Sequence, residues 1–219
     1  MRRTLAILTL LTALSGCVDV PEAPKRPASR PSSAFISPRP EYRQCLADLG
    51  AQRASFAPLP DQYFGSGCSN IGTVRLTGLR SDSASLELSN LGPVTCSMAS
   101  TFAAWARFGV DRAAQQILGS RVARIETFGS YSCRTVAGTS RLSGHATANA
   151  IDVSAFVLTD GRRISVLQGW NGGSPAERRF LRIVHQSACK RFGTVLGPDY
   201  NSAHENHLHL EADSAGFCR

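Results

Sequence analysis

The chain has 219 residues, seven cysteines and a formal charge of +8 at neutral pH. Its length fits one ordinary domain with a terminal extension, and the sequence holds no internal repeat and no apolar run long enough to span a bilayer. The charge favours anionic partners through long-range attraction.

The N-terminus opens with Arg2 and Arg3, followed by an apolar stretch of about 11 residues ending at Leu14. A membrane span needs about 20 such residues, so this stretch is a targeting segment and not an anchor helix. Leu14-Ser15-Gly16-Cys17 resembles the lipobox of bacterial lipoproteins, in which the Cys is lipidated and becomes the new N-terminus. An ordinary signal peptide with a Cys near its cleavage site is the competing reading. On the lipobox reading residues 1–16 are removed, and lipidated Cys17 holds the chain to a membrane on the periplasmic side of the cell envelope. Val18 follows where an Asp would signal inner-membrane retention, so the outer membrane is the expected one. Loss of Arg2 and Arg3 leaves a charge of about +6. In that compartment lipid headgroups and anionic wall polymer are the expected partners, and nucleic acid is not.

Residues 17–42 contain six of the 11 prolines, mixed with Ser, Ala, Lys and Arg. Such a composition cannot bury a core and predicts an extended, partly polyproline tether. At ~3 Å per residue it reaches several tens of Å. Residues 43–219 then form one domain. A short helix is expected at 44–52, a small β element at 72–76 and a longer helix over 97–118, with Gly119 as its stop. Residues 122–128 alternate like a strand, and 151–158 with 163–167 read as a strand pair around Thr159-Asp160-Gly161. Ser174-Pro175-Ala176-Glu177 carries an N-cap, a first-turn Pro and a capping-box Glu. It opens a helix in which Phe180, Leu181, Val184, Ala188 and Phe192 recur at helical spacing. Residues 194–196 and 206–212 are expected strands. This order predicts an α+β domain with a small, mostly antiparallel sheet and flanking helices.

Beyond Cys17 there remain Cys45, Cys68, Cys96, Cys133, Cys189 and Cys218. In an exported chain six cysteines imply up to three disulfides, whose connectivity sequence does not fix. The simplest expectation is sequential: Cys45–Cys68, Cys96–Cys133 and Cys189–Cys218. No CxxC pair is present to favour a Cys-ligated metal.

Four of the five histidines fall in Ser143-Gly-His145-Ala-Thr-Ala-Asn-Ala150-Ile-Asp152 and His204-Glu-Asn-His207-Leu-His209. Two imidazoles and a carboxylate are the ligand types of a catalytic zinc site, which uses about three protein ligands and leaves a position for water. His145, Asp152 and one late histidine would make that set. On a strand His207 and His209 share a face, so one can bind metal while the other works as a base beside it. Two surface histidines on an edge strand are the plainer alternative. Asp152 enters an apolar strand, where an unpaired carboxylate is costly; a metal or an Arg would offset that cost. Arg134, placed after a strand and next to Cys133, is positioned to grip a substrate carboxylate or an oxyanion, or is simply solvated. Tyr131 stands likewise, and His185 on the capped helix reads as structural. A Ser-His-Asp hydrolase is not supported, because Ser143 is too near His145 and no nucleophile elbow occurs.

Ser143-x-His145-x4-Ala150-x-Asp152 with His207-x-His209 resembles the zinc peptidases of the D-alanyl-D-alanine carboxypeptidase group, which includes penicillin-insensitive murein endopeptidases and the dipeptidases of vancomycin resistance. Phe128-Gly-Ser-Tyr131-Ser-Cys133-Arg134, Trp170, Val195-Leu-Gly-Pro-Asp-Tyr200 and Cys218-Arg219 are similar to the bacterial extensin-like C-terminal domain family, over residues 45–219. The peptidase resemblance implies a disulfide-stabilised zinc-peptidase fold with Zn2+ held by His145, Asp152 and His209. It further implies that Arg134 meets substrate or transition state, that His204 lines the site, and that His207 acts as base. The implied activity is hydrolysis of D-alanyl amide bonds in peptidoglycan stem peptides by a monomeric, lipid-anchored enzyme. A wall-binding lipoprotein without activity, and a closed structural metal site using His204 or His207, are the alternatives. Two departures stand out: Ala148 replaces a common Gly, and the Glu-x-x-Trp-His form of the second motif is absent.

Overall fold

A computed structural model of the protein describes residues 39–219. The expected leader, Cys17 and the proline-rich run to residue 38 lie outside the described residues. Helix α1 (Pro40–Ala51) begins four residues before the expected start at 44, with Pro40 in its first turn. A missing N–H there costs nothing, and the fixed φ of Pro suits a helix start. The helix takes in Pro40, Glu41 and Tyr42, which composition assigns to the tether. Tyr42 is buried, and its hydroxyl donates to the Thr73 carbonyl at 2.8 Å.

In chain order the strands are β1 (Ser55–Pro58), β2 (Gln62–Gly65), β3 (Cys68–Asn70), β4 (Thr73–Arg80), β5 (Ser85–Ser89) and β6 (Pro93–Thr95). After the first helical layer come β7 (Val122–Gly129), β8 (Ala150–Leu158), β9 (Arg163–Ser165), β10 (Thr194–Leu196), β11 (Leu208–Glu211) and β12 (Phe217–Cys218). Ten of them form one sheet along the path β1-β4-β5-β7-β8-β11-β10-β12, with β6 added to β4 and β9 to β8. Strands β2 and β3 make a separate hairpin. Parallel ladders at β5–β7 and β10–β12 make the sheet mixed. The fold is therefore α+β as expected, but its sheet is larger than the small one the sequence suggested. The strands missed are short ones of two to five residues, too brief for alternation to stand out from loop sequence.

The helix expected over 97–118 is a continuous run built of three parts: α2 (Cys96–Trp105), a π-helical turn (Ala106–Asp111) and α3 (Arg112–Leu118). Gly109 lies in the π turn because nothing larger fits. A Cβ there would stand 2.2 Å from Ser187 Oγ and 2.9 Å from Trp105. Gly119 ends the run in the left-handed region at φ 70°. Asp111, fully buried, is satisfied by Arg121 Nη1 at 2.6 Å and by the Val122 backbone N–H at 3.0 Å. Residues 166–172, partly assigned to a strand by sequence, form α4 (Val166–Gly172), capped by Ser165. Helix α5 (Pro175–Cys189) has the capping box formed in both directions between Ser174 and Glu177. The core joins helices to sheet through Phe102, Trp105, Phe156 and Phe180. Trp105 keeps its indole N–H paired by donating to the Val184 carbonyl of α5 at 3.1 Å.

Disulfides join Cys45 to Cys96, Cys68 to Cys133 and Cys189 to Cys218. The sequential expectation holds for the last and is corrected for the other four cysteines. Packing decides the pairing: α1 lies against the start of α2, and the β2–β3 hairpin lies against the loop after β7, where Gly67 approaches Leu142. The second bridge closes a 65-residue separation. Replacing Cys68 and Cys133 together by Ser should cost about 2–4 kcal/mol and lower the melting temperature by about 5–15 °C. An unchanged melt, or a non-reducing digest linking Cys45 to Cys68, would contradict this assignment.

Candidate metal centre

Strand register brings the first two candidate ligands together. In the antiparallel pair β8–β11, His209 stands directly opposite Asp152, and His209 Nδ1 lies 2.8 Å from Asp152 Oδ1. His145 arrives from a 3-10 turn (Gly144–Thr147) that is N-capped by Ser143. Its ring is 3 % exposed, and Nδ1–H donates to the Ser130 carbonyl at 2.7 Å. That bond commits Nδ1 and leaves Nε2 facing inward, 3.1 Å from Asp152 Oδ2 and 3.2 Å from His209 Nδ1. Two imidazole nitrogens and a carboxylate thus converge, although 64 residues separate His145 from His209.

The donor chemistry fits a divalent ion. With Nδ1–H of His145 spent on Ser130, the inward Nε2 meets a carboxylate oxygen, and such a contact requires a cation: a second proton or a metal. The second nitrogen of His209, Nε2, is 2.8 Å from Glu211 Oε1, so Nδ1 is the atom turned to the centre. Nitrogen and carboxylate donors of this kind suit zinc, and three of them leave the remaining position open. Asp152 is paired with histidines; its ion pairs among the described residues are to His145, His207 and His209. Histidines thus take the compensating part that sequence left open to an arginine.

His207 precedes β11 by one residue, yet it shares the centre with His209 as strand alternation anticipates. Its Nε2 is 3.5 Å from Asp152 Oδ1, while Nδ1–H donates to Asn206 Oδ1 at 2.8 Å. The ring packs edge-on against Phe128. His204 ends a 3-10 turn (Ser202–His204), stacks 5.1 Å from His207 and donates Nδ1–H to Asn201 Oδ1 at 2.7 Å. Both side-chain amides orient their histidines with Nε2 unprotonated and available. Arg134 is exposed on the wall of a groove of about 610 Å3 whose floor holds Asp152, His204, His207 and His209. Glu205 is exposed, and Tyr131 stacks on Phe64 of the hairpin, 5.2 Å between centroids.

Charge is divided unequally among these rings. Burial lowers His207, and burial with its histidine neighbours lowers His204 to about 4, so both are neutral at pH 7. Burial would also lower His209, but hydrogen bonds to Asp152 and Glu211 overcome it and raise the ring to about 9. Burial would raise Asp152, yet its bonds to His145 and His209 hold it well below the carboxylate range. Glu211 is lowered in the same way by His209.

Sequence reading passed over Glu211, Ser130, Asn201 and Asn206. Glu211 had a signal: two residues beyond His209 on a strand, it must share that histidine's face. The backbone carbonyl of Ser130 had none. The remaining motif residues gather elsewhere. Trp170 donates to Asp199 Oδ1 at 2.8 Å, Arg182 stacks 3.8 Å over the Trp170 ring and pairs with Asp199, and His185 Nε2–H donates to the Arg219 carbonyl at 3.1 Å. His185 also lies near Cys189 and Cys218, whose sulfurs are joined to each other, so this cluster locks the C-terminus as a structural unit.

No curated protein and no solved structure matches the chain. The family described as the extensin-like protein C-terminus matches residues 43–219, a span that holds the whole histidine–aspartate cluster and the Trp170 cluster. The chain belongs to the extensin-like protein C-terminal family.

Proposed function

We propose that the protein is a zinc-dependent hydrolase of amide bonds in peptidoglycan stem peptides, with a D-Ala-D-Ala carboxypeptidase-like fold and D-alanyl bonds or cross-links as its targets. The observation that carries this reading is the convergence of His145 Nε2, His209 Nδ1 and the Asp152 carboxylate, with a neutral histidine beside them. Supporting it is the resemblance of the Ser143–Asp152 and His207-x-His209 motifs to the zinc peptidases of that group. The lipobox-like Leu14–Cys17 supports a lipid anchor at the periplasmic side of the outer membrane, within reach of the wall. The positive charge suits an anionic polymer.

In this mechanism His145, Asp152 and His209 hold the ion. A bound zinc supplies Lewis acidity, polarising the scissile carbonyl and acidifying water. His207, neutral and with Nε2 turned towards Asp152, accepts the proton of the attacking water and returns it to the leaving amine. His204, equally neutral, lines the groove next to it and helps orient the substrate. The Arg134 guanidinium on the wall pairs with a substrate carboxylate or with the developing oxyanion.

Protein beginning at Val18, without the lipidated Cys17, purified oxidised without added metal, should carry about one zinc, and Asp152→Ala should carry essentially none. Metal analysis by atomic emission decides it: absence of zinc from the wild type even after zinc is offered removes the metal centre and leaves a wall-binding protein.

His207→Ala should keep its zinc while hydrolysis of purified muropeptides falls by about 10²–10⁴-fold. Arg134→Ala should lose about 10²–10³-fold. Zinc lost from His207→Ala would make that residue a fourth ligand of a closed structural site. Undigested muropeptides with zinc-loaded wild type would refute catalysis.

A further inference from the structure

Each ligand histidine has one nitrogen to give to a metal and one that must be held elsewhere. For His145 the holder is the Ser130 carbonyl. For His209 it is a side chain, Glu211, whose Oε1 lies 2.8 Å from Nε2. We propose that Glu211 is a positioning residue of the metal centre: it fixes His209 with the proton on Nε2 and Nδ1 open to the ion, and Gly144 is glycine in order to admit it. The proposal rests on the metal-centre reading given above.

Two carboxylates compete for the hydrogens of the His209 ring, Asp152 at Nδ1 and Glu211 at Nε2. If Glu211 were absent, a neutral His209 would place its single hydrogen on Nδ1, donating to Asp152. That tautomer turns an N–H towards the centre and puts the lone pair on the far side of the ring, so an ion would have to displace a hydrogen bond and force a tautomer change. Glu211 removes this competitor by giving the hydrogen a charged acceptor on the outer side. Outer carboxylates on ligand histidines act in this way and typically govern metal affinity by 10–100-fold.

The second observation is the space made for this carboxylate. Gly144 N–H donates to the same Oε1 at 3.3 Å. A Cβ on Gly144 would lie 2.7 Å from Glu211 Cδ and 2.8 and 3.0 Å from its two oxygens. Gly144 is not at positive φ, so the glycine serves clearance and not backbone conformation. One carboxylate therefore ties the turn that carries His145 to the strand that carries His209, across 67 residues of sequence. Glu211 is part-buried in the lining of the groove, and its Oε1 is engaged by His209 and Gly144, which suits a group that acts through His209.

The test is zinc affinity of the mature chain by chelator competition, with circular dichroism to confirm folding. Glu211→Ala should bind zinc about 10–100-fold more weakly than wild type. Glu211→Gln, whose amide oxygen still accepts from Nε2–H, should recover about tenfold or more of that loss. Gly144→Ala should weaken binding with Glu211 intact, and the double variant Gly144→Ala/Glu211→Ala should be no weaker than Glu211→Ala alone. Nitrogen-15 NMR of the zinc-loaded wild type should show the His209 proton on Nε2. Wild-type affinity in folded Glu211→Ala, or in Gly144→Ala should Glu211→Ala not fold, overturns the role of Glu211 while Asp152→Ala still loses the metal. A wild type that takes up no zinc overturns the metal centre itself, and this role with it.

Discussion

The register of β11 on β8 is the constraint on which the centre depends. It sets His209 opposite Asp152, and it does so inside a sheet where the neighbouring pairs, Leu208 with Val153 and Leu210 with Ile151, are fully buried. A slip of one residue would exchange the faces of every side chain on β11. Leu208 and Leu210 would then turn to the groove, and His209 with Glu211 would enter the apolar layer without partners. Hydrophobic burial and the polar site thus demand the same alignment. Asn149 reinforces it from the end of the ladder, where its amide donates to the Ala212 carbonyl at 2.9 Å and its own carbonyl receives the Ala212 N–H at 3.2 Å.

The turn that delivers His145 works against local preference. Ala148 closes it in the left-handed region, φ 55° and ψ 27°, fully buried. A non-glycine residue there costs roughly 1–2 kcal/mol. The surroundings offset this: the Ala148 carbonyl accepts from Thr95 N–H at 2.9 Å, and Asn149 N–H donates to the Gly144 carbonyl at 2.8 Å. The common Gly of the resembling peptidases becomes understandable at this position as a conformational requirement. In this chain the methyl group is kept and packed, so the turn holds its shape by tertiary contacts more than by its own sequence.

What was readable in advance follows the range of the interactions. Helix α5 declared itself through the capping box and its apolar spacing, β7 through alternation and β8 through the turn Thr159-Asp160-Gly161 that follows it, because those signals lie within a few residues. The clustering of histidines pointed to one centre, and the two segments do meet. The disulfide partners of Cys45, Cys68, Cys96 and Cys133 were misassigned because they depend on how α1, α2 and the β2–β3 hairpin pack, which no local pattern encodes. The π turn at 106–111 was invisible for a similar reason: Gly109 is explained by the approach of Ser187 from another helix and of the Trp105 ring. Ser130, which orients His145, contributes a backbone atom, and backbone atoms leave no trace in a sequence.

The two sets of motif residues also separate by physical role. The Trp170, Asp199, Arg182 and His185 cluster satisfies its own polar groups and holds the C-terminal Arg219. Its charges are spent on one another. Around Asp152 the inward nitrogens of three histidines, His145, His207 and His209, converge on one carboxylate. A network that merely stabilised the fold would be expected to resolve such contacts with donors, as the first cluster does with an indole and a guanidinium. A second proton or a metal ion can offset the cost of keeping such acceptors face to face. Arg134 lines the same groove and is held there by the Cys68–Cys133 bridge one residue away. Stability is thus invested in a covalent staple and a buried core, both apart from the histidine cluster.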